Sequence, residues 1–260
     1  MHHVMLGLAA TVILAACNTS SEAKSREPVV ESPYSGDLTI DYCAEMQIDF
    51  CGPLFGDAHL ALRAQAEAKH RLSVASSGGD MRIGLIAAAR IRPENVSIDI
   101  HRLCGSACIE TLVPAAASVR LIDRPVLVVH GNPSLWRHII HLGGETDTQC
   151  YRSFLFFLDR YLGDRLNPDL VEMQFDRMGI HNIRPGERVR CAGYTFDQEA
   201  DYILLTAEEL QYYYGAPVEG QSAIDDATDI QALVDAWFRQ GLRVWARGQI
   251  YVSGGSQPGR

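Results

Sequence analysis

Lysine is almost missing from this chain. Across 260 residues with a formal net charge of −9, the only lysines are Lys24 and Lys69, and there is no run of basic residues. That balance argues against nucleic acid as a partner and against polybasic contact with a membrane surface. It also leaves no lysine downstream of position 69 to serve as a catalytic base. A membrane-spanning segment is likewise missing at the N-terminus, because the apolar run from Val4 to Ala16 has thirteen residues, against the roughly 20 that a helix needs to cross a bilayer. No C-x-x-C and no H-E-x-x-H occurs, and the cysteine spacings fit no common zinc finger. Neither a metal nor a cofactor is expected.

The short apolar run ends in Leu14-Ala15-Ala16-Cys17, the shape of a lipobox. Residues 1–16 are thus expected to be a lipoprotein signal peptide, cut so that the Cys17 thiol carries lipid and tethers the chain to a membrane. The segment Met1-His2-His3 departs from the usual pattern in lacking Lys or Arg. Residues 17–36 are rich in Ser, Glu and Pro and read as a flexible spacer. Residues 37–252 are expected to form one α/β domain, and residues 253–260 a disordered tail. Asn18 behind Cys17, in place of Asp, points to the periplasmic face of the outer membrane in a Gram-negative envelope. Six further cysteines follow: Cys43, Cys51, Cys104, Cys108, Cys150 and Cys191. An even count in an exported chain predicts disulfides. Cys43 with Cys51 and Cys104 with Cys108 are local candidates that leave Cys150 with Cys191, although spacing does not choose among the connectivities that six cysteines allow.

Patterning predicts a strand over Met46–Phe50, a helix over Asp57–Lys69, a strand over Arg71–Ala75 broken by Ser76-Ser77-Gly78-Gly79, and a helix over Met81–Ile91. A second strand follows over Val96–His101, then a turn at Cys104-Gly105-Ser106 and a helix from Ala107. Two more strands are expected at Val119–Ile122 and Pro125–His130. Strands alternating with helices imply a mostly parallel sheet covered by helices. Trp136–Gly179 reads as mainly helical, and Arg184–Tyr194 as a loop or hairpin insertion. Thr206-Ala207-Glu208-Glu209 has the form of a capping box. The apolar spacing of Ile230, Leu233, Val234, Trp237, Phe238 and Trp245 predicts a helix over Asp229–Ala246.

Three stretches at predicted strand ends can converge on one point: Gly78-Gly79, Ser106-Ala107 and His130. A serine hydroxyl is a weak nucleophile at neutral pH and needs a base together with donors for the oxyanion formed on attack. Ser106 with His130 as base, and N–H groups of Ala107 and of Gly78 or Gly79 as donors, would meet those needs. Each element also has an ordinary reading, with Ser106 as a helix cap and the glycines as turn formers. His138 and His141 near Glu145 could imitate a metal pair, but surface histidines explain them as well.

In its ordered blocks Ser77-Gly78-Gly79, Ser106-Ala107, Val129-His130-Gly131-Asn132-Pro133 and Leu205-Thr206-Ala207-Glu208-Glu209 with Tyr214-Gly215, the chain resembles the Clp peptidase and crotonase superfamily, and within it the exported Clp-like serine peptidases. The likeness covers residues 46 to 217. It implies a Clp/crotonase-like fold of repeated strand-strand-helix units, self-assembly, a peptide or protein substrate, and a triad of Ser106, His130 and an acid. The family's acid stands four residues before the Thr of the last block, where this chain has Tyr202. Asp201 is the nearest candidate, with Asp197 and Glu199 behind it. A related branch uses a Ser–Lys dyad, for which only Lys69 is left. The expectation is therefore a lipid-anchored, envelope-facing serine hydrolase of peptidase type. Two alternatives share the fold: a catalytically silent binding or scaffold lipoprotein, and acyl-CoA chemistry of crotonase type, which export away from cytosolic CoA disfavours.

Overall fold

A computed structural model describes residues 40–92, 94–130, 165–185 and 194–254, all within the compact unit Ser32–Arg260. The signal peptide, Cys17, the whole spacer, the stretch 136–164 predicted to be helical, with its His138, His141, Glu145 and Cys150, and Cys191 lie outside the described residues.

A short helix α1 (Ile40–Glu45) opens the described domain, where the sequence suggested only a strand from Met46. Gln47 turns the chain through a left-handed backbone, so strand β1 is confined to Phe50–Cys51. Helix α2 (Ala58–Ala68) buries Leu62 and Ala66. Strand β2 (Arg71–Ser76) then runs into the Gly turn. Helix α3 (Met81–Ile91) starts where expected because the Asp80 carboxylate accepts the Arg82 N–H at 2.7 Å, satisfying one of the donors that a helix start leaves open. Strand β3 (Ser97–Gly105) continues past His101, the end predicted for it. It leads into a π-helical turn, Cys108–Leu112, completed by α4 (Val113–Ala115).

Strand β4 (Val119–Val129) is one strand, not the two that Asp123-Arg124-Pro125 suggested. Asp123 and Arg124 adopt left-handed backbone, Arg102 does so on the neighbouring β3, and the pairing register slips at that level. Paired bulges therefore bend the two strands together without ending either.

The chain continues through α5 (Asp169–Met178), an antiparallel hairpin of β5 (His181–Pro185) and β6 (Tyr194–Asp197), strand β7 (Tyr202–Leu204) and α6 (Ala207–Tyr214). The capping box at Thr206 and Glu209 is formed in full. After β8 (Val218–Glu219), α7 (Ile230–Trp237) is far shorter than predicted. Phe238 is extended and Gly241 takes a positive φ, so Val244 and Ala246 alternate inward in strand β9 (Arg243–Ala246), which pairs with β10 (Gln249–Val252). Ser253, where the sequence suggested a loose tail, is 1% exposed, and its N–H donates to the Leu242 carbonyl at 2.9 Å.

Among the described residues the main sheet has eight strands in the order β1-β2-β3-β4-β7-β9-β10, with β8 beside β4. The pairs β1–β2, β2–β3, β3–β4, β4–β8 and β7–β9 are parallel, whereas β4–β7 and β9–β10 are antiparallel. The chain is thus α/β, with a mostly parallel mixed sheet covered by helices. Side chains alternate between its faces. Leu127 and Val129 join the larger core with α2, α3 and the π turn, while Val126 and Val128 join a smaller one with Ile230, Val234 and Phe238.

Candidate active site

Strands β2, β3 and β4 lie side by side and parallel, so their C-terminal ends open on one edge of the sheet. The register pairs Ser76 with Cys104 and Gly105 with Val128, and the Ser106 N–H donates to the Val128 carbonyl at 2.7 Å. Neighbouring strands are about 4.8 Å apart. The turn after Ser76, the residue after Gly105 and the residue after Val129 therefore lie at adjoining strand ends.

Contact between the first two is direct. Gly78 has φ +89°, and a Cβ there would stand 2.3 Å from the Gly105 carbonyl oxygen, 2.6 Å from Ser106 Cβ and 3.0 Å from the Ala107 nitrogen. Only a residue without a side chain lets the two turns come this close. The Gly78 N–H donates to Ser76 Oγ at 3.2 Å. The next residue forms an isolated parallel bridge with Leu54, made by the Leu54 N–H to the Gly78 carbonyl (2.7 Å) and the Asp80 N–H to the Leu54 carbonyl (2.9 Å). Those bonds leave the Gly79 N–H on the opposite side, toward β3 and the Ser106 turn. Among the described residues neither the Gly79 N–H nor the Ala107 N–H has an acceptor.

Ser106 has φ +50° and is 8% exposed. A left-handed backbone at a non-glycine residue costs about 1–2 kcal/mol, and such strain clusters where a side chain must be aimed. Its surroundings keep it in place. Cys104 and Cys108 form a disulfide across the turn with Cα atoms 5.4 Å apart. The Glu110 N–H donates to the Ser106 carbonyl at 3.0 Å, and Thr111 Oγ1 donates to the Ala107 carbonyl at 2.5 Å. The π turn following Ser106 has no side-chain cap. Among the described residues Ser106 Oγ makes no hydrogen bond, so its hydroxyl is neither spent on capping nor already bonded to His130.

His130 leaves the end of β4. Extending the β4–β7 register, in which Val128 faces Leu204 and Val129 faces Ile203, sets it opposite Tyr202. The two rings meet edge to face, with centroids 5.3 Å apart and planes at 72°. His130 is exposed as a residue, and partial desolvation of its ring pushes its pKa below the ordinary histidine range. A hydrogen bond with its own main chain acts in the opposite direction and is the smaller effect. Burial pushes the Tyr202 phenol up to about 12, with the Asp201 charge adding to it.

Asp201 points elsewhere. Successive strand residues face opposite sides, and this carboxylate accepts from Arg243 Nη2 (2.8 Å), Arg243 Nε (3.2 Å) and the Arg243 N–H (2.9 Å). Burial raises its pKa, but the Arg243 hydrogen bonds outweigh burial and hold the carboxyl below its usual range. His130 is not among its partners, so the triad geometry expected of Asp201 is not formed. Asp197 is also committed, accepting from Asn182 Nδ2 at 2.9 Å. Lys69, the remote alternative base, is paired with Asp49.

Cys43 and Cys51 form the second disulfide among the described residues. No group of three or more His, Cys, Asp or Glu among those residues is placed to hold a metal ion, and no helix among them is long and apolar enough to cross a membrane. Sequence reasoning missed two features of the site. The Ser76 hydroxyl, which occupies the Gly78 N–H, carried no signal beyond its place two residues before that glycine. The Tyr202 contact was signalled by its position, four residues before Thr206, and hidden by its residue type. Comparison of the chain with protein-family models and with curated proteins finds no match.

Proposed function

We propose that this chain is a serine hydrolase of peptidase type, tethered through Cys17 to the periplasmic face of the outer membrane and built on the Clp/crotonase plan. One observation carries the reading: Gly78 packs against the Ser106–Ala107 backbone so closely that a single methyl group would overlap it. In this reading Ser106 Oγ attacks the acyl carbon of a peptide bond and passes its proton to His130. The carbonyl pair moves onto oxygen, facing the N–H groups of Gly79 and Ala107. The pair returns as the C–N bond breaks, and the leaving amine takes the proton from His130. Water then repeats the sequence on the acyl-enzyme and releases the acid. The structure favours Gly79 over Gly78 as donor, since Ser76 holds the Gly78 N–H.

The alternative, a silent binding lipoprotein on the same fold, draws support from the engagement of Asp201 with Arg243. A fluorophosphonate probe separates the two. Labelling of the full chain that disappears in both Ser106→Ala and His130→Ala supports the hydrolase. A folded wild-type chain that takes up no probe supports the silent protein, and retention on immobilised CoA would favour acyl-CoA chemistry instead.

A further inference from the structure

We infer that Tyr202 is the positioning residue of His130, its ring standing where an orienting carboxylate would be needed and holding the imidazole in one plane by edge-to-face contact. The inference rests on reading His130 as the base for Ser106.

The register makes the pair obligatory. Tyr202 follows from the β4–β7 pairing as the residue opposite His130, and it is held from behind by Phe238, the ring centroids being 5.4 Å apart. Phe238 is 2% exposed and belongs to the smaller core, so the tyrosine leans on a fixed wall. An edge-to-face pair of this geometry contributes modestly but has a preferred angle, which is what orientation of a base requires. The role that an acid plays in a triad has two parts, holding the ring and stabilising the imidazolium. Tyr202 supplies the first and withholds the second. Beside the imidazole stands Tyr202 from β7, with Phe238 behind it. Asp201, just before β7, and Arg243 of β9 satisfy each other. Among the described residues no charge contributes to the shift of His130. A base so placed stays neutral to lower pH than an ordinary histidine, at the expense of a less stabilised transition state.

Tyr202→Phe keeps the ring, whereas Tyr202→Leu and Tyr202→Met remove it. The imidazole titration of His130, followed by NMR on the folded full chain, gives a readout independent of activity, and fluorophosphonate labelling against pH gives the catalytic one. Tyr202→Phe is expected to match wild type in both. In the Leu and Met variants the titration midpoint is expected to rise toward the ordinary histidine value and labelling to slow about two- to tenfold. Wild-type titration in whichever of these variants folds, or a Phe variant that behaves like them, overturns the inference. A wild-type chain that takes up no probe refutes the hydrolase reading alone, since the NMR titration still decides whether Tyr202 holds the ring.

Discussion

Replacing Gly78 with alanine tests whether the diglycine turn and the serine turn are packed as described. Gly78 has φ +89°, and so does Gly241, where a Cβ would meet nothing within 4 Å. Alanine at either position carries the backbone cost of a left-handed conformation, about 1–2 kcal/mol. Only at Gly78 does the new methyl also overlap protein, at 2.3 Å from the Gly105 carbonyl and 2.6 Å from Ser106 Cβ. Both contacts are with atoms of the backbone or next to it, which cannot swing away. Overpacking of this kind adds about 1–3 kcal/mol, so Gly78→Ala is expected to cost about 2–5 kcal/mol and Gly241→Ala about 1–2 kcal/mol. In urea, with a slope of about 2 kcal/mol per molar, the midpoint falls by about 1–2.5 M for the first variant and by under about 1 M for the second. Labelling should separate them further, since moving Ser106 by about 1 Å can cost about a hundredfold in rate. Equal midpoints and equal labelling in the two variants would refute the packing argument.

Three other outcomes follow from the geometry. Asp201→Asn is expected to lower stability by about 1 kcal/mol at neutral pH, a modest figure because Arg243 is partly exposed and water screens the pair. The Asp201 carboxyl is held below its usual range, so its contribution is present above the ordinary carboxylate pKa and lost as pH falls through the folded value. Wild type and variant should converge in acid urea titrations. Labelling should be unchanged in this variant, whereas a true triad acid would cost about 10⁴-fold. Joint replacement of Cys104 and Cys108 by serine opens a loop of sequence separation 4, expected to cost about 2 kcal/mol by calorimetry, with labelling reduced because the turn that aims Ser106 is loosened. Tyr202→Asp should raise the His130 titration midpoint by placing a carboxylate across the strand pair; an unmoved midpoint would contradict the β7 register.

Much of the scaffold was legible because local chemistry and tertiary packing agreed. Asp80 begins α3, and Thr206 with Glu209 begins α6, each by a mechanism visible in residue type. The failures came where strand and helix patterns compete. Phe238 and Trp245 fit a helical stripe, but Gly241 breaks it, and Val244 and Ala246 satisfy strand alternation against the smaller core. Asp123-Arg124-Pro125 looks like a strand break, yet a bulge absorbs those residues because β3 bulges at the same level. At the site, Gly78, Ser106 and His130 were readable because each sits at a strand end. The left-handed backbone of Ser106 was not, since nothing in its side chain calls for it. The partner of His130 depends on a cross-strand register, which residue composition does not encode.

The central claim is that Ser106 is an activated nucleophile. Incubation of the intact full chain with fluorophosphonate, followed by peptide mass mapping, tests it most directly. One phosphonyl adduct is expected on the peptide containing Ser106, formed at a rate that collapses in His130→Ala. An adduct on a different serine, or a folded chain that remains unmodified, would contradict it.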